Sequence, residues 1–205
     1  MPLRAALPDL TGARFPVYLP DRLPAAPPGD DYLITAHATG DTYEVTVHFT
    51  NRPTPINGSG MSSWSGYVGL LRGGSAAWVR QQADAQDGLA LTVPRGSPQR
   101  VTLPGGLPAD LYAAGAVLWH DGTWRYAAYA DTGAEAMGIA ADMAQTFAPA
   151  GHPVPGATSG EAVRWYGADG GNSAIMWTRG SRAYEVWGRD TRGFTLAEDL
   201  VQVST

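Results

Sequence analysis

Histidine is the side chain most often used as a general base or a metal ligand, so the four histidines are the first candidates for chemistry. They are His37, His48, His120 and His152, and no two have the short separation found in zinc sites. His37 and His48 fall on neighbouring predicted strands and could form a functional pair, although ordinary sheet positions explain them better. His120 precedes a predicted turn and is expected to be solvated. The histidines therefore predict no metal site.

Paired carboxylates and activated serines are the next candidates, because they carry out much hydrolytic chemistry. The chain has 19 acidic residues, of which Glu135 and Glu198 are explained as helix caps. It has no G-x-S-x-G serine motif and no G-x-G-x-x-G phosphate loop. The acidic, glycine-containing segments 84–88 and 167–172 do not complete a calcium loop. We therefore predict no catalytic residue, no metal and no cofactor, and keep a hydrolase with an unrecognised site as an alternative.

The chain is rich in aromatic residues, with seven tryptophans and nine tyrosines. Aromatic rings stack on sugars, line lipid pockets and anchor protein interfaces, but cross-strand aromatic pairs also stabilise hairpins. Most of the rings are therefore expected in the core. Trp64 and Tyr67 are the predicted ligand-binding residues, because they border a loop at 51–65 that is rich in glycine, proline and serine.

Charge and cysteine content exclude several classes of function. The net charge is −5, and all 14 basic residues are arginines, spread from Arg4 to Arg192 without a run. Nucleic-acid and anionic-membrane binding both need clustered positive charge, so neither is expected. The absence of cysteine excludes disulfides, thiolate zinc sites and cysteine nucleophiles.

The sequence contains no stretch approaching the roughly 20 apolar residues of a membrane-spanning helix, so no integral membrane segment is expected. Its first residues also carry no apolar signal core. These features predict either a cytoplasmic protein or one whose signal segment preceded Met1.

The 26 glycines and 16 prolines favour many short elements joined by turns and argue against a helical bundle. Residues 1–30 are predicted to be extended, with a strand at 16–20. Apolar residues alternate with polar ones along 42–50, which predicts a half-buried strand paired with 32–38. Further short strands are predicted at 66–71, 89–93 and 100–103.

Two more hairpins are predicted at 116–130, around Asp121-Gly122, and at 173–188. With Asp121-Gly122 as the loop residues, Trp119 is opposite Trp124, and alternation places both on one buried face. In the second hairpin, Arg182 is expected to lie across Trp177, and Glu185 is expected to be exposed.

The clearest predicted helix is 132–147, where Thr132 and Glu135 fit a capping box. A second, short helix is predicted near 195–203, with Thr195 and Glu198 as its capping box. The segment 76–85 fits either a short helix or a loop.

An internal repeat links the second and third hairpins. Residues 116–126 and 174–184 align without gaps, and alanine, tryptophan, glycine and tyrosine coincide. Similar turns and cores would also produce such a likeness without duplication. We predict an α+β fold with a curved antiparallel sheet built from repeated β-hairpins, each followed by a helix packing on one face. Residues 1–150 would form a hairpin-rich unit, and 151–205 a partial repeat packed into the same domain.

Four segments resemble a bacterial family of extracytoplasmic domains of unknown function, found in lipoproteins and anti-sigma-type regulators. They are Pro16-Val-Tyr-Leu-Pro20, a hairpin ending Tyr43-Glu-Val, the stretch from Val101-Thr-Leu-Pro to Trp124-Arg-Tyr126, and a helix ending Ile139-Ala-Ala-Asp-Met143. The resemblance covers roughly residues 14–147. Such domains are similar in style to the half-barrels of lipoprotein carriers, in which helices cover a curved sheet. The chain departs from the family because it shows no signal, lipid-attachment cysteine or membrane anchor.

The resemblance implies an extracytoplasmic location in the cell envelope. Together with the lack of catalytic motifs, it predicts a non-enzymatic binding or protein-interaction module of the bacterial envelope, with a protein partner. The first alternative is a carrier that holds a small apolar ligand between sheet and helix. The second is the hydrolase named above.

Overall fold

The computed structural model describes residues 2–58, 66–85, 91–147, 153–154, 156–167 and 170–203. Over these residues the chain forms an α+β structure with four α-helices and twelve β-strands. The helices are α1 (Leu7–Leu10), α2 (Ala76–Ala85), α3 (Gly133–Phe147) and α4 (Arg192–Glu198). The strands are β1 (Val17–Pro20), β2 (Asp31–Ala38), β3 (Tyr43–Thr50), β4 (Tyr67–Ser75), β5 (Gln99–Leu103), β6 (Leu107–Tyr112), β7 (Ala116–Asp121), β8 (Trp124–Tyr129), β9 (Gly160–Gly167), β10 (Gly170–Arg179), β11 (Arg182–Arg189) and β12 (Leu200–Val203).

Ten strands form one open sheet in the order β2-β3-β4-β11-β10-β9-β8-β7-β6-β5, and β1 pairs with β12 in a separate ribbon. Neighbouring strands of the large sheet are antiparallel, apart from the parallel pair β8 and β9. The sequence predicted an antiparallel sheet and did not predict β9. A parallel pair needs a long crossover connection, and α3 lies in the connection between these two strands.

One face of the large sheet, which we call the core face, is covered by α1, α3, α4 and the β1–β12 ribbon. The alternation in β3 shows how the sequence selects this face. Tyr43, Val45 and Val47 are buried in the main core, whereas Glu44 and Thr46 between them point the other way and are half-buried. Successive strand residues thus supply one apolar and one polar face, as predicted.

The opposite face, which we call the outer face, is covered over β4 and β11 by α2. Val79 and Ala83 are one helical turn apart and are both buried, so α2 presents one apolar stripe to the sheet. The sequence left 76–85 open between helix and loop, and the structure shows a helix. None of the helices in the described parts of the chain is long and apolar enough to cross a membrane.

Helix α3 begins with the predicted capping box. The backbone amide of Thr132 donates to Glu135 Oε2 over 3.1 Å, and the amide of Glu135 donates to Thr132 Oγ1 over 3.2 Å. Ala136, Ala140 and Phe147 then face the core. Both the position of this helix and its starting signal are confirmed.

The C-terminal prediction is wrong in its bounds. Helix α4 ends at Glu198, and the residues after it form β12, which pairs with β1. Thr195 lies inside α4 rather than at its start, and its backbone amide donates to the carbonyl of Thr191 over 3.1 Å. Pairing with a strand distant in sequence therefore overrides the local helical pattern at 200–203.

Two predictions for the N-terminal half also differ from the structure. The first residues form a 3-10 turn at Pro2–Ala6 followed by α1, because Leu3, Ala6 and Leu10 are buried against the core. Residues 91–93 form no strand, and the remainder of the predicted strand at 89–93 lies outside the described residues.

The hairpin β7–β8 keeps its predicted buried face but has a different register. Asp121 is opposite Trp124 and Trp119 is opposite Tyr126, so the two loop residues are Gly122 and Thr123. Gly122 has a φ of 59°, in the left-handed region that favours glycine. Hairpin β10–β11 has the same arrangement, with Trp177 opposite Tyr184.

Candidate functional site

Of the two predicted ligand-binding residues, the structure describes only Tyr67. Trp64 lies outside the described residues. Tyr67 is buried in a small cluster on the outer face with Leu70, Ala174 and Trp187. Its ring centroid is 4.6 Å from that of Trp187, and burial raises the pKa of its hydroxyl well above the usual range. Tyr67 is therefore a neutral, packed side chain, and its role in ligand binding stays a prediction.

His37 and His48, which could have formed a pair across neighbouring strands, are not opposite each other in the sheet. His37 is opposite Glu44 in the register of β2 and β3, whereas His48 is opposite Leu33. His48 instead contacts Tyr67 edge-on at 4.9 Å, and burial lowers its pKa. Across the described residues, no three or more histidine or acidic side chains gather in a way that could hold a metal ion.

A row of charged residues crosses the outer face of the sheet. The registers place Glu44 beside Arg72 and Arg72 beside Glu185, and farther along the sheet they place Glu161 beside Arg125. Neither the strand order nor these registers could be read from local sequence. The row is therefore a product of the tertiary fold.

Glu185 is buried, so the prediction that it is exposed is wrong. The side chains of Glu185 and Arg72 are each 1% exposed, and Arg72 Nε lies 2.6 Å from Glu185 Oε2. Helix α2 packs over β4 and β11, which carry the two residues. Burial raises the pKa of Glu185, and the neighbouring Arg72 opposes that shift.

Glu161 links α2 to strands β8 and β9. Arg80 of α2 donates two hydrogen bonds to its carboxylate, over 3.0 and 2.9 Å, and Arg125 of β8 also pairs with it. A cavity of about 210 Å³ borders this cluster. Two guanidinium groups neutralise Glu161, so the cluster fits a structural clamp better than a catalytic acid.

Two accessible facing carboxylates, or a Ser–His pair in a cleft, would favour the hydrolase alternative. Glu161 and Glu185 both lie on the outer face, but β10 separates their strands, so their backbones are roughly 10 Å apart. Each carboxylate is paired with arginine, and Glu185 is almost fully buried. This pair gives the alternative no specific support.

The carrier alternative would require an apolar cavity of roughly 300 Å³ or more between sheet and helix. The structure shows a cavity of about 160 Å³ between α3 and the strands. It is lined by Pro104, Gly105, Leu107, Trp119, Asp121, Tyr126, Ala144 and Phe147. Its volume is too small for a typical apolar ligand, and Asp121 adds a charge to its wall.

A third cavity, of about 470 Å³, lies where the β10–β11 turn meets the β1–β12 ribbon. We call it the arginine pocket. It is lined by Arg14, Phe15, Pro16, Tyr18, Arg179, Gly180, Ser181, Arg182, Tyr184 and Gln202. These residues come from the segment before β1, from β1, from the β10–β11 hairpin and from β12. Three cations and three aromatic rings thus surround one opening.

Two of the three guanidinium groups are held by aromatic residues. Arg179 donates from Nη1 to the hydroxyl oxygen of Tyr18 over 2.6 Å. Arg182 lies over the ring of Phe15 at 4.5 Å, which corrects the expectation that it covers Trp177. Arg182 also lies 3.5 Å from the carboxylate of the exposed Asp41. These contacts orient the cations and leave most of their charge unneutralised.

The aromatic rings form the floor of the pocket rather than its accessible wall. Tyr18, Tyr184 and Phe15 are all buried, and Tyr18 meets Tyr184 edge-on at 4.9 Å. Burial raises the pKa of Tyr184 to about 12, so its hydroxyl stays protonated at neutral pH. A ligand would therefore meet mainly the arginines, Gln202 and the turn.

The β10–β11 turn contains an electrostatic conflict. Arg179 and Arg182 are directly opposite each other in the register, and like charges in that position destabilise a hairpin. The matching positions of the β7–β8 hairpin hold Asp121 and Trp124. The repulsion is therefore not required by the hairpin itself.

Sequence reasoning missed this pocket because Arg14 is far along the chain from Arg179 and Arg182. The one local signal was the Arg-Gly-Ser-Arg turn at 179–182, where two cations flank a predicted loop. The fold converts a thin spread of arginines into a local cluster.

A scan against protein-family models and searches of curated proteins and of solved structures find no match for this chain.

Proposed function

We propose that this protein is a non-enzymatic binding module of the bacterial cell envelope and that the arginine pocket is its binding site, for an anionic ligand. The observation that carries the proposal is the convergence of Arg14, Arg179 and Arg182 on one open cavity in a chain of net charge −5. Guanidinium groups are the side chains best suited to binding carboxylate, sulfate and phosphate.

The conflict within the turn supports the same proposal. Residues that break a local stability rule without a structural gain are concentrated at functional sites. The pair Arg179 and Arg182 breaks the cross-strand charge rule, and an anion bound between them would relieve the repulsion. Non-enzymatic binding is favoured because the lining residues of this pocket include no histidine or carboxylate to act as a base.

The proposal includes a duplicated framework. Hairpin β7–β8 is followed by α3, and hairpin β10–β11 is followed by α4. Trp119 stacks on Tyr126 at 5.0 Å, and Trp177 stacks on Tyr184 at 5.4 Å, on the core face in both cases. We take these as two copies of one unit, of which the second carries the arginine turn. The envelope location rests on the sequence resemblance alone.

Calorimetric titration tests the proposal. Sulfate and succinate serve as probes at fixed ionic strength, with wild type, Arg14→Gln and Arg179→Gln compared. At least one anion is expected to bind wild type with one-to-one stoichiometry and to bind each variant about tenfold more weakly.

Arg52→Gln is the matched control, because it removes the same charge from an exposed position. Arg52 follows β3 at the strand end opposite to Asp41 and the pocket. Equal loss of affinity in this control, or no anion binding to wild type, would refute the proposal.

A further inference from the structure

The arginine pocket combines three cations with one nearby acid, and this charge balance specifies more than anion binding in general. We infer that the pocket recognises the phosphate monoester group of a small polar organic molecule. This inference rests on the proposed function and names the ligand class for the same site.

The positions of the arginines favour a tetrahedral anion. Arg14 precedes β1, whereas Arg179 and Arg182 flank the β10–β11 turn, so the three arginines line the cavity from two separate parts of the chain. A carboxylate offers two oxygens in one plane. A phosphate offers three terminal oxygens in different directions, so it can accept hydrogen bonds from several guanidinium groups at once.

The charge of the pocket favours a dianion. Asp41 offsets one of the three positive charges, through its contact with Arg182. Arg14, Arg179 and Arg182 form no other ion pair within the part of the chain that the structure describes. The remaining charge of about +2 matches a phosphate monoester, which carries about −1.5 to −2 at pH 7, better than a diester with a single charge.

The size and polarity of the pocket favour an organic phosphate over the free ion. The cavity of about 470 Å³ exceeds the space that one phosphate group fills. Ser181 and Gln202 also line it, and Gln202 Oε1 accepts a hydrogen bond from the Tyr18 hydroxyl over 3.3 Å. The hydroxyl of Ser181 and the amide of Gln202 can bind the hydroxyl groups of a small polyol attached to the phosphate.

The test is a calorimetric titration of the full chain with four probes at pH 7.5 and fixed ionic strength. They are glycerol 3-phosphate, inorganic phosphate, dimethyl phosphate and succinate. Glycerol 3-phosphate is expected to bind about tenfold or more tightly than each of the others. Arg14→Gln and Arg179→Gln should each weaken its binding about tenfold, and Arg52→Gln should leave it unchanged.

The failures of the inference and of the proposed function are distinguishable. If succinate or dimethyl phosphate binds as tightly as glycerol 3-phosphate and depends on the same arginines, the monoester inference is wrong and the anion site stands. Equal affinity for inorganic phosphate would overturn the organic part of the inference. If none of the four probes binds, the monoester inference is wrong, and the anion site is wrong as well if sulfate also fails to bind. If binding does not depend on Arg14 and Arg179, both proposals are wrong. Thermal melts in chloride alone establish that each variant is folded.

Discussion

Arg72 and Glu185 form an ion pair from which water is almost entirely excluded. Removing one partner of a buried pair leaves an uncompensated buried charge, whereas replacing both partners by apolar residues leaves no buried charge. Arg72→Met should therefore lower the free energy of unfolding at pH 7 by about 3–5 kcal/mol. The double variant Arg72→Met/Glu185→Leu should recover most of that loss. Urea unfolding measures both, and a double variant as unstable as the single one would contradict this account.

The same pair predicts a pH dependence. Burial already raises the pKa of Glu185, and removing Arg72 takes away the charge that opposes the shift. A carboxyl group whose folded pKa exceeds its unfolded pKa stabilises the fold below the unfolded value, and this contribution is lost as pH rises through the folded value. The free energy of unfolding of Arg72→Met should therefore fall below that of wild type by less near pH 4 than near pH 7. An equal loss of unfolding free energy at both pH values would show that Glu185 is not a buried, unpaired carboxylate in the variant.

Trp119 and Trp177 test whether the tryptophans are core or recognition surface. Each is 3% exposed and stacks on a tyrosine of the partner strand. Trp119→Ala and Trp177→Ala should each lower the free energy of unfolding by about 3–5 kcal/mol. Trp165→Ala is the control, because Trp165 is 40% exposed. It should lower the free energy of unfolding by less than about 1 kcal/mol. Stability near that of wild type in the first two variants would mean that these rings do not hold the core.

Elements defined by local signals were the ones that the sequence predicted. The β2–β3, β7–β8 and β10–β11 hairpins follow from alternation and turn residues, and α3 follows from its capping box. Three strands were missed for identifiable reasons. Pro108 argues against a strand at β6, and β12 continues an apparently helical pattern. In β9 the apolar residues come in adjacent pairs, Ala162-Val163 and Trp165-Tyr166, so the alternation that indicates a half-buried strand is absent there.

The two capping boxes that the sequence proposed provide a matched comparison at the scale of the element. Thr132→Ala removes the side-chain cap of α3 and should cost about 1 kcal/mol. Thr195→Ala alters a residue inside α4, where alanine is the better helix former, and should change stability by less than about 0.5 kcal/mol. Thermal unfolding of the two variants measures the difference. A larger loss for Thr195→Ala would contradict the observed start of α4.

At the scale of the whole molecule, the sequence predicted the class of fold but not the candidate site. The α+β class follows from composition and periodicity, which act locally. The arginine pocket depends on strand order, because residue 14 meets residues 179 and 182 only when the β1–β12 ribbon lies over the end of the β10–β11 hairpin. The charged row on the outer face depends on the same non-local registers. Contacts between segments that are distant in the chain leave little trace in a single sequence.

The central claim is that the arginine pocket binds anions in the native state, and ligand-linked stability tests it most directly. A ligand that binds only the folded chain raises the melting temperature, and an excess of 100-fold over Kd adds about 2.7 kcal/mol. The measurement compares thermal unfolding in sodium sulfate and in sodium chloride at equal ionic strength, for wild type, Arg14→Gln/Arg179→Gln and Arg52→Gln. General salting effects of sulfate act on all three proteins alike. We predict that sulfate stabilises wild type and Arg52→Gln more than it stabilises the double variant, whereas an equal shift in all three would contradict the claim.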